Sequence, residues 1–466
     1  MRQILCTGVA ALGLFAAWPH AEQTPAPQTP ASQTPPPQQP SDIGATISGD
    51  AGNAPRLAVP AFIALSKDAE TVAVARTITD VLWDDLNYER EFTFIPRDVY
   101  SSVPAATSFS DVPFDRWREL NADGVIVGTV EKVSSGFKVE MKMFNVRTQQ
   151  AVYPRVYNGS NARLFAHTMS DEIHKSQRAL NGVAMSKLVF DSDRDNERMT
   201  GTVQNRNNKE IYIADYDGEN QRRVTVGKTL NISPRWSPNG RSIAYTSYRR
   251  GGGQIFISNI FQGTIEEVTK GERIGENWLP AWSPDGTRVA FTSTRDGNPE
   301  IYVANRDGSN VRRITNNPAI DITPTWSPSG TQIAFTSDRS GSQQIYVTAA
   351  DGGGTAQRIT TESYCDRATW SPAPYNELAY ASRNGPGFDI HILDMATRHM
   401  TPLTFGEGTN ESPAFSPNGR HIAFMSTRSG KSQIFTVSRD GKDVRQITRT
   451  GNNEMPDWSK LPETRP

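Results

Sequence analysis

The sequence predicts an α/β N-terminal domain followed by an all-β six-bladed β-propeller closed by a C-terminal strand. Three observations carry this. An aromatic residue followed by Ser, and by Ser-Pro in all but the last case, recurs as Trp236, Trp282, Trp326, Trp370, Phe415 and Trp458, at intervals of 46, 44, 44, 45 and 43 residues. A period in the forties made of short strands is the mark of propeller blades with four strands each. A second apolar strand recurs as LVFDS, IAYTS, VAFTS, IAFTS, LAYAS and IAFMS, starting at Leu188, Ile243, Val289, Ile333, Leu378 and Ile422. The two series are offset. The first second-strand has no aromatic strand before it, and the last aromatic strand, PDWS from Pro456, has no repeat after it. These defects complete each other, so the C-terminus should supply the innermost strand of the blade begun at Leu188 and close the ring without an open edge.

Taken in chain order, Met1-Arg2, an apolar run over 4–18 and a small-residue exit at Ala21 read as a secretory signal, residues 1–21. The run is too short to span a bilayer. Residues 22–43 form a Pro/Gln-rich disordered linker, with almost nothing to bury.

Residues 44–182 should form the α/β domain. PRLAVPAF (55–62) reads as a buried strand. The stretch 68–86 places Val72, Ala75, Ile78, Leu82 and Leu86 on one helical face. FTFI (92–95) is a strand, and 122–133 with 137–146 make a hairpin around SSG. Its second strand alternates Val139, Met141 and Met143 with Lys138, Glu140 and Lys142, so one face is wet. VYPRVYN is a third strand, and 161–180 a helix capped by Ser160 or Asn161 and stopped at Gly182.

Residues 183–466 should form the propeller. Ser283-Pro284-Asp285-Gly286 suits a type I turn, with Pro presetting φ and Gly closing the reversal. RVAFTS and EIYVA follow as strands buried on both faces. Asp307-Gly308 turns the chain into the outer strand VRRIT, whose Arg312 and Arg313 coat the rim. The recurrent Trp is read as packing between blades. A polar insertion at 194–209 is read as a surface excursion of the first blade.

Composition narrows the function. A net charge of -1 and a pI near 6.6 provide no basic field for nucleic acid. Of 2 Cys, only Cys365 lies beyond the signal, so no internal disulfide can form, and it is read as a core or loop residue. No G-x-S-x-G, H-E-x-x-H, P-loop or C-x-x-C pattern occurs. His167 and His174 are two helical turns apart and are read as part of a polar face rather than a metal pair. Eight residues follow Trp458, so no appended hydrolase domain is expected, and the protein is read as a non-enzyme.

The loops entering the inner strands carry Glu276, Asp321, Asp366, Glu411 and Glu454, with Asn231 in the remaining blade. These loops should open on one face around the central channel. Each acid can accept backbone N–H bonds in its own loop. Beside Trp278, Leu279, Ile322 and Met455, the acids also make a mixed mouth that can hold a protein segment or a cation such as Ca²⁺.

The signal, the α/β pattern and six WSPDG-type blades closed by PxWS resemble the TolB family. The stretches LAVPAF, ADGVIVGTVE and HTMSDEIHKSQRALNGVAMSKLVFDSDR are similar to that family's N-terminal domain and its junction with the first blade, and the likeness runs from 41 to 459. The resemblance implies a non-enzymatic periplasmic adaptor of the Tol–Pal envelope system, supporting outer-membrane integrity and cell division. It implies that the peptidoglycan-associated lipoprotein Pal binds at the propeller mouth, leaving the protein peripheral to the outer membrane, and that TolA binds a short N-terminal segment. Here the lipoprotein site would map to Asn231, Glu276, Asn277, Trp278, Leu279, Asp321, Ile322, Thr323, Asp366, Arg367, Glu411 and Glu454. The TolA segment would be residues 44–48, with Thr46 and Ile47 as contacts, placed behind the Pro/Gln-rich linker rather than at the mature terminus. No cofactor is expected, and a channel Ca²⁺ rests on the acids of the mouth rather than on the resemblance. The alternative is a periplasmic propeller that binds a small ligand or cation in its channel.

Overall fold

The computed structural model describes residues 46–47, 53–197, 208–271 and 275–460. The expected signal, nearly all of the linker-to-domain junction before residue 53 and most of the expected 194–209 excursion lie outside these residues.

The N-terminal region is a mixed sheet with helices on its faces. Strands β1 (Arg56–Ala58), β2 (Ile63–Ala64) and β3 (Thr93–Phe94) join β4 (Gly124–Val133), β5 (Gly136–Asn145) and β6 (Ala151–Gly159) in the order β3-β1-β4-β5-β6, with β2 also on β4. The β1 and β2 pairings are parallel, and β4-β5-β6 is an antiparallel meander. The strand expected over 55–62 is thus two short pieces. Between them Val59 N–H donates to the Tyr100 hydroxyl and Phe62 N–H to Thr79 Oγ1, so side chains replace the ladder where Pro60 has no N–H to give.

Helix α1 (Ala69–Tyr88) starts at Asp68, whose carboxylate accepts the Thr71 N–H at 3.0 Å. It packs on the sheet with α3 (Ala162–Arg178), through Ile78, Leu82, Val130, Met141, Met169 and Ile173. A short α2 (Phe114–Glu119) covers the other face, with Trp117 against Val125 and Phe144. Helix α3 ends at Ala179, in the left-handed region at φ 54°, not at Gly182; the Ala179 N–H bonds His174 O and closes the last turn. At Gly128 in β4 the Phe62 ring lies against the backbone, 2.0 Å from where a Cβ would stand. Gly128→Ala is expected to displace that ring and cost about 1–3 kcal/mol, read from a urea midpoint.

The rest of the chain forms six four-stranded antiparallel sheets, one per blade. Blade 1 combines Asn453–Trp458 with Lys187–Ser192, Glu210–Asp215 and Arg222–Arg223, so the C-terminal strand closes the ring as the offset motifs predict. Blades 2 to 6 begin with Asn231–Trp236, Asn277–Trp282, Asp321–Trp326, Cys365–Trp370 and Asn410–Phe415. The second and third strands are buried on both faces because neighbouring blades cover them. The recurrent aromatics sit between blades. Trp326 of blade 4 packs on Ala281, Ala290 and Val303 of blade 3, and its indole donates to Ala281 O at 3.1 Å.

The polar face expected for His167 and His174 is not observed. Both imidazoles are buried, at 3% and 1% exposure, because α3 is covered by α1 and, around His167, by blade 1 as well.

Candidate functional site

Each innermost strand opens the same way. Its first residue is buried: Asn231, Asn277, Asp321, Cys365, Asn410 and Asn453 are all fully covered. Its third residue, Ser233, Leu279, Thr323, Arg367, Ser412 or Met455, takes a left-handed φ of 52–56°. The ladder slips there in every blade, which is a β-bulge. Five of these third residues narrow the channel to a throat of about 20 Å³, room for about one water. Beyond it, a chamber of about 370 Å³ is walled by the Trp and Pro residues of the turn motifs.

The second residues, Ile232, Trp278, Ile322, Asp366, Glu411 and Glu454, are half-buried at the entrance above that throat. Their order divides the mouth. Blades 2, 3 and 4 supply an apolar arc, and blades 5, 6 and 1 an acidic one.

The acids are partly compensated. Arg367 Nε lies 3.5 Å from Asp366 and 3.9 Å from Glu411. Lys209 Nζ lies 2.6 Å from Glu454 and 2.9 Å from the buried Asp191, which stands where blades 2, 3 and 4 carry Thr. Four carboxylates therefore meet two cations. Burial raises Glu411 above the usual carboxylate range despite Arg367. For Lys209, burial acts downward, but Asp191 and Glu454 outweigh it and hold the ammonium above its usual range. A basic group entering the mouth would relieve the excess negative charge, and an apolar group beside it would meet Trp278 and the two isoleucines.

The expected ring of acids is corrected in three places. Asp321 is a first-position residue, fully covered, with its carboxylate 2.6 Å from Arg339, so it does not reach the mouth. Asn231 and Asn277 occupy the same inward position, for the same reason. Asn277 bonds Arg295 at 3.1 Å, as Asn410 bonds Arg428 and Asn453 bonds Arg194. Each of these arginines also lies over two aromatic rings of its own blade. Glu276 precedes its strand and is exposed, with its N–H on Thr294 Oγ1. Trp278, Ile322, Asp366, Glu411 and Glu454 are at the entrance, and Leu279, Thr323 and Arg367 line the throat.

Sequence reading missed Ile232 and Lys209. Counting back four residues from each recurrent aromatic finds Ile232 and sets the register of the whole ring. No local pattern marks Lys209, which reaches the mouth only through blade closure. Ile47 is not on the open surface. It is buried against Leu57 and Gly124, and its N–H donates to Gln177 Oε1 of α3 at 2.8 Å. Cys365 is fully buried, and burial pushes its thiol up to about 12, so it is no nucleophile. Among the described residues, no group of three or more His, Cys, Asp or Glu side chains is placed to hold a metal ion, and no helix is long and apolar enough to cross a membrane.

Residues 196–461 match the model of the TolB beta propeller domain, and residues 45–152 that of the TolB amino-terminal domain. The chain belongs to the TolB family. A TolB crystal structure from Acinetobacter baumannii superposes with a TM-score of 0.73 at 26% identity, covering 88% of this chain and 97% of that one. The Tol-Pal system protein TolB of Desulfosudis oleivorans is 33% identical over 229 residues, 48% of this chain and 50% of the relative. That of Xylella fastidiosa strain M12 is 30% identical over 200 residues, 42% and 44% of the two chains. The chain thus spans about half the length of the curated TolB relatives it matches, or somewhat less.

Proposed function

We propose that this TolB-family protein is a non-enzymatic periplasmic adaptor of the Tol–Pal system. It binds the peptidoglycan-associated lipoprotein Pal at the propeller mouth and TolA through residues 44–48, and so supports outer-membrane integrity and cell division. The observation that carries the reading is the two-sided mouth. One arc is apolar and centred on Trp278, and the other is acidic, with more carboxylates than cations. A protein surface offering an apolar group beside a basic one fits it better than a small ion, because half of the mouth is apolar and, among the described residues, no group of three or more His, Cys, Asp or Glu side chains is placed to hold a metal ion. For TolA, Ile47 would first have to leave its pocket on the α/β core, so that contact carries an opening cost.

The test is a binding titration of purified lipoprotein against the native chain and against Trp278→Ala combined with Glu411→Lys. Both positions are half-buried and outside the blade cores. Affinity is expected to fall at least tenfold, because an aromatic anchor and a charge complement are lost together (~1.4 kcal/mol or more). Equal affinity in the two proteins, with unchanged circular dichroism, would remove the mouth assignment.

A further inference from the structure

The α/β domain straddles the place where the ring closes. On blade 6, the Tyr88 ring at the end of α1 stacks on His421 with centroids 4.1 Å apart. Asn418 bonds the Glu89 carboxylate at 3.2 Å, and Arg90 lies 3.1 Å from Asp440. On blade 1, the Tyr216 hydroxyl donates to Asp85 at 2.7 Å. Blade 1 is the blade completed by the C-terminal strand, and blade 6 is the last before that strand. Trp458 of the closing strand shares one apolar cluster with Tyr88, Tyr216 and Met425. Its indole bonds Ser186, at the exit from the α/β domain, at 2.6 Å. The helices therefore grip both sides of a junction that the chain closes without covalent continuity.

At the centre of the blade 1 grip is His167 of α3. Its Nδ1 is 2.8 Å from Asp85 of α1, and its Nε2 is 3.8 Å from Asp215 of blade 1. Arg163, on its own helix, pairs with Asp217 and lies 3.8 Å from Asp215. Lys187 pairs with Asp215 from the blade side, and Asp171 acts on His167 from the following turn of α3. Two carboxylates from two different domains thus face one imidazole. Neutral, it carries one proton, for one of them; as imidazolium it donates to Asp85 and faces Asp215 at 3.8 Å as a charge contact rather than a hydrogen bond.

We propose that the α/β domain is a releasable clamp across blades 6 and 1, latched by the imidazolium of His167 between Asp85 and Asp215. Loss of that proton leaves the carboxylates of α1 and blade 1 facing each other and frees the helices from blade 1. The blade 6 contacts and the closing strand then lose their shared support.

The direction with pH follows. Burial alone would push His167 down, but Asp85 and Asp215 outweigh it and hold it up at about 9 against an ordinary 6.5. A group raised on folding gives its full stabilisation below its ordinary value and loses it as pH rises through the raised one. Glu89, pushed up to about 8 by burial, acts in the same direction. The clamp should therefore hold at neutral pH and release under alkaline conditions.

The test is hydrogen exchange of the intact chain from pH 6 to 10, corrected for the intrinsic rate. Exchange in 85–91 and 163–171 is expected to rise at least ~tenfold between pH 7 and 10, with 453–458 following. In His167→Gln the same segments should exchange fast already at pH 7, with little further rise. A flat native profile, or a His167→Gln profile as steep as the native one, overturns the latch. Release of the helices with full protection kept in 453–458 overturns the clamp. Should His167→Gln not fold, Asp217→Asn decides: removing that carboxylate must move the midpoint to lower pH, and an unmoved midpoint overturns the proposal.

Discussion

Asp321→Lys is expected to destabilise the propeller by about 3–5 kcal/mol, because it leaves two cations in a covered site. The carboxylate is fully buried and 2.6 Å from the Arg339 guanidinium. Arg339 is held in turn by Ser337 Oγ at 2.9 Å and lies over the rings of Phe335 and Tyr346. Lysine would remove the counter-charge and add a second cation where no water can solvate it. Asp321→Asn is the control. Four other blades place Asn at this position, and in three of them it bonds the blade's own arginine. That substitution should therefore cost only about 1 kcal/mol, the worth of a charge-assisted bond exchanged for a neutral one. Urea unfolding of both variants separates the cases. A small loss in Asp321→Lys would mean that the site is open to water and that the first-position register is wrong.

Trp458→Ala is expected to cost about 3–5 kcal/mol, as large aromatics cut from cores do, and to loosen the ring at its seam first. Trp458 buries its indole among Leu188, Phe190, Tyr216 and Ile447, and donates to Ser186. One residue on, Ser459 exchanges two hydrogen bonds with the backbone of Lys187, each at 2.8 Å. Losing the indole weakens the closing strand, the first blade and the exit from the α/β domain together. Exchange should rise in 453–458 and 187–192 before it rises in blades 3 and 4. Trp458→Phe should keep most of the stability, since Phe415 serves at the same position in blade 6. If alanine and phenylalanine behaved alike, the closing strand would not be held by that side chain.

Much of this fold is legible from the chain alone. The spacing of six aromatics, the six second strands and their one-step offset determine six blades and a C-terminal closing strand, because each motif is a local turn followed by a strand that only neighbouring blades can cover. The hairpin of β4 and β5 and the cap of α1 at Asp68 are likewise local. So is the absence of a catalytic pattern.

The mouth was only half legible. Acidity in the entry loops is visible in the sequence, but which acids face the channel depends on a bulge at the third residue of each inner strand, and a one-residue change of register reverses the facing of a side chain. Asp321 and Asp366 look alike in sequence, yet one is locked inside blade 4 by Arg339 and the other stands at the entrance. Lys209 joins Glu454 across 245 residues of chain. Helical spacing alone puts His167 on a polar face, because nothing within its helix announces that a propeller blade covers it. Sequence by itself determined the repeat, its count and its closure, since these follow from local turn chemistry and strand periodicity. Tertiary structure alone decided which charges are paired, which are open and which proton sits between the domains, since those depend on distances between residues far apart in the chain and on how completely water is excluded from them.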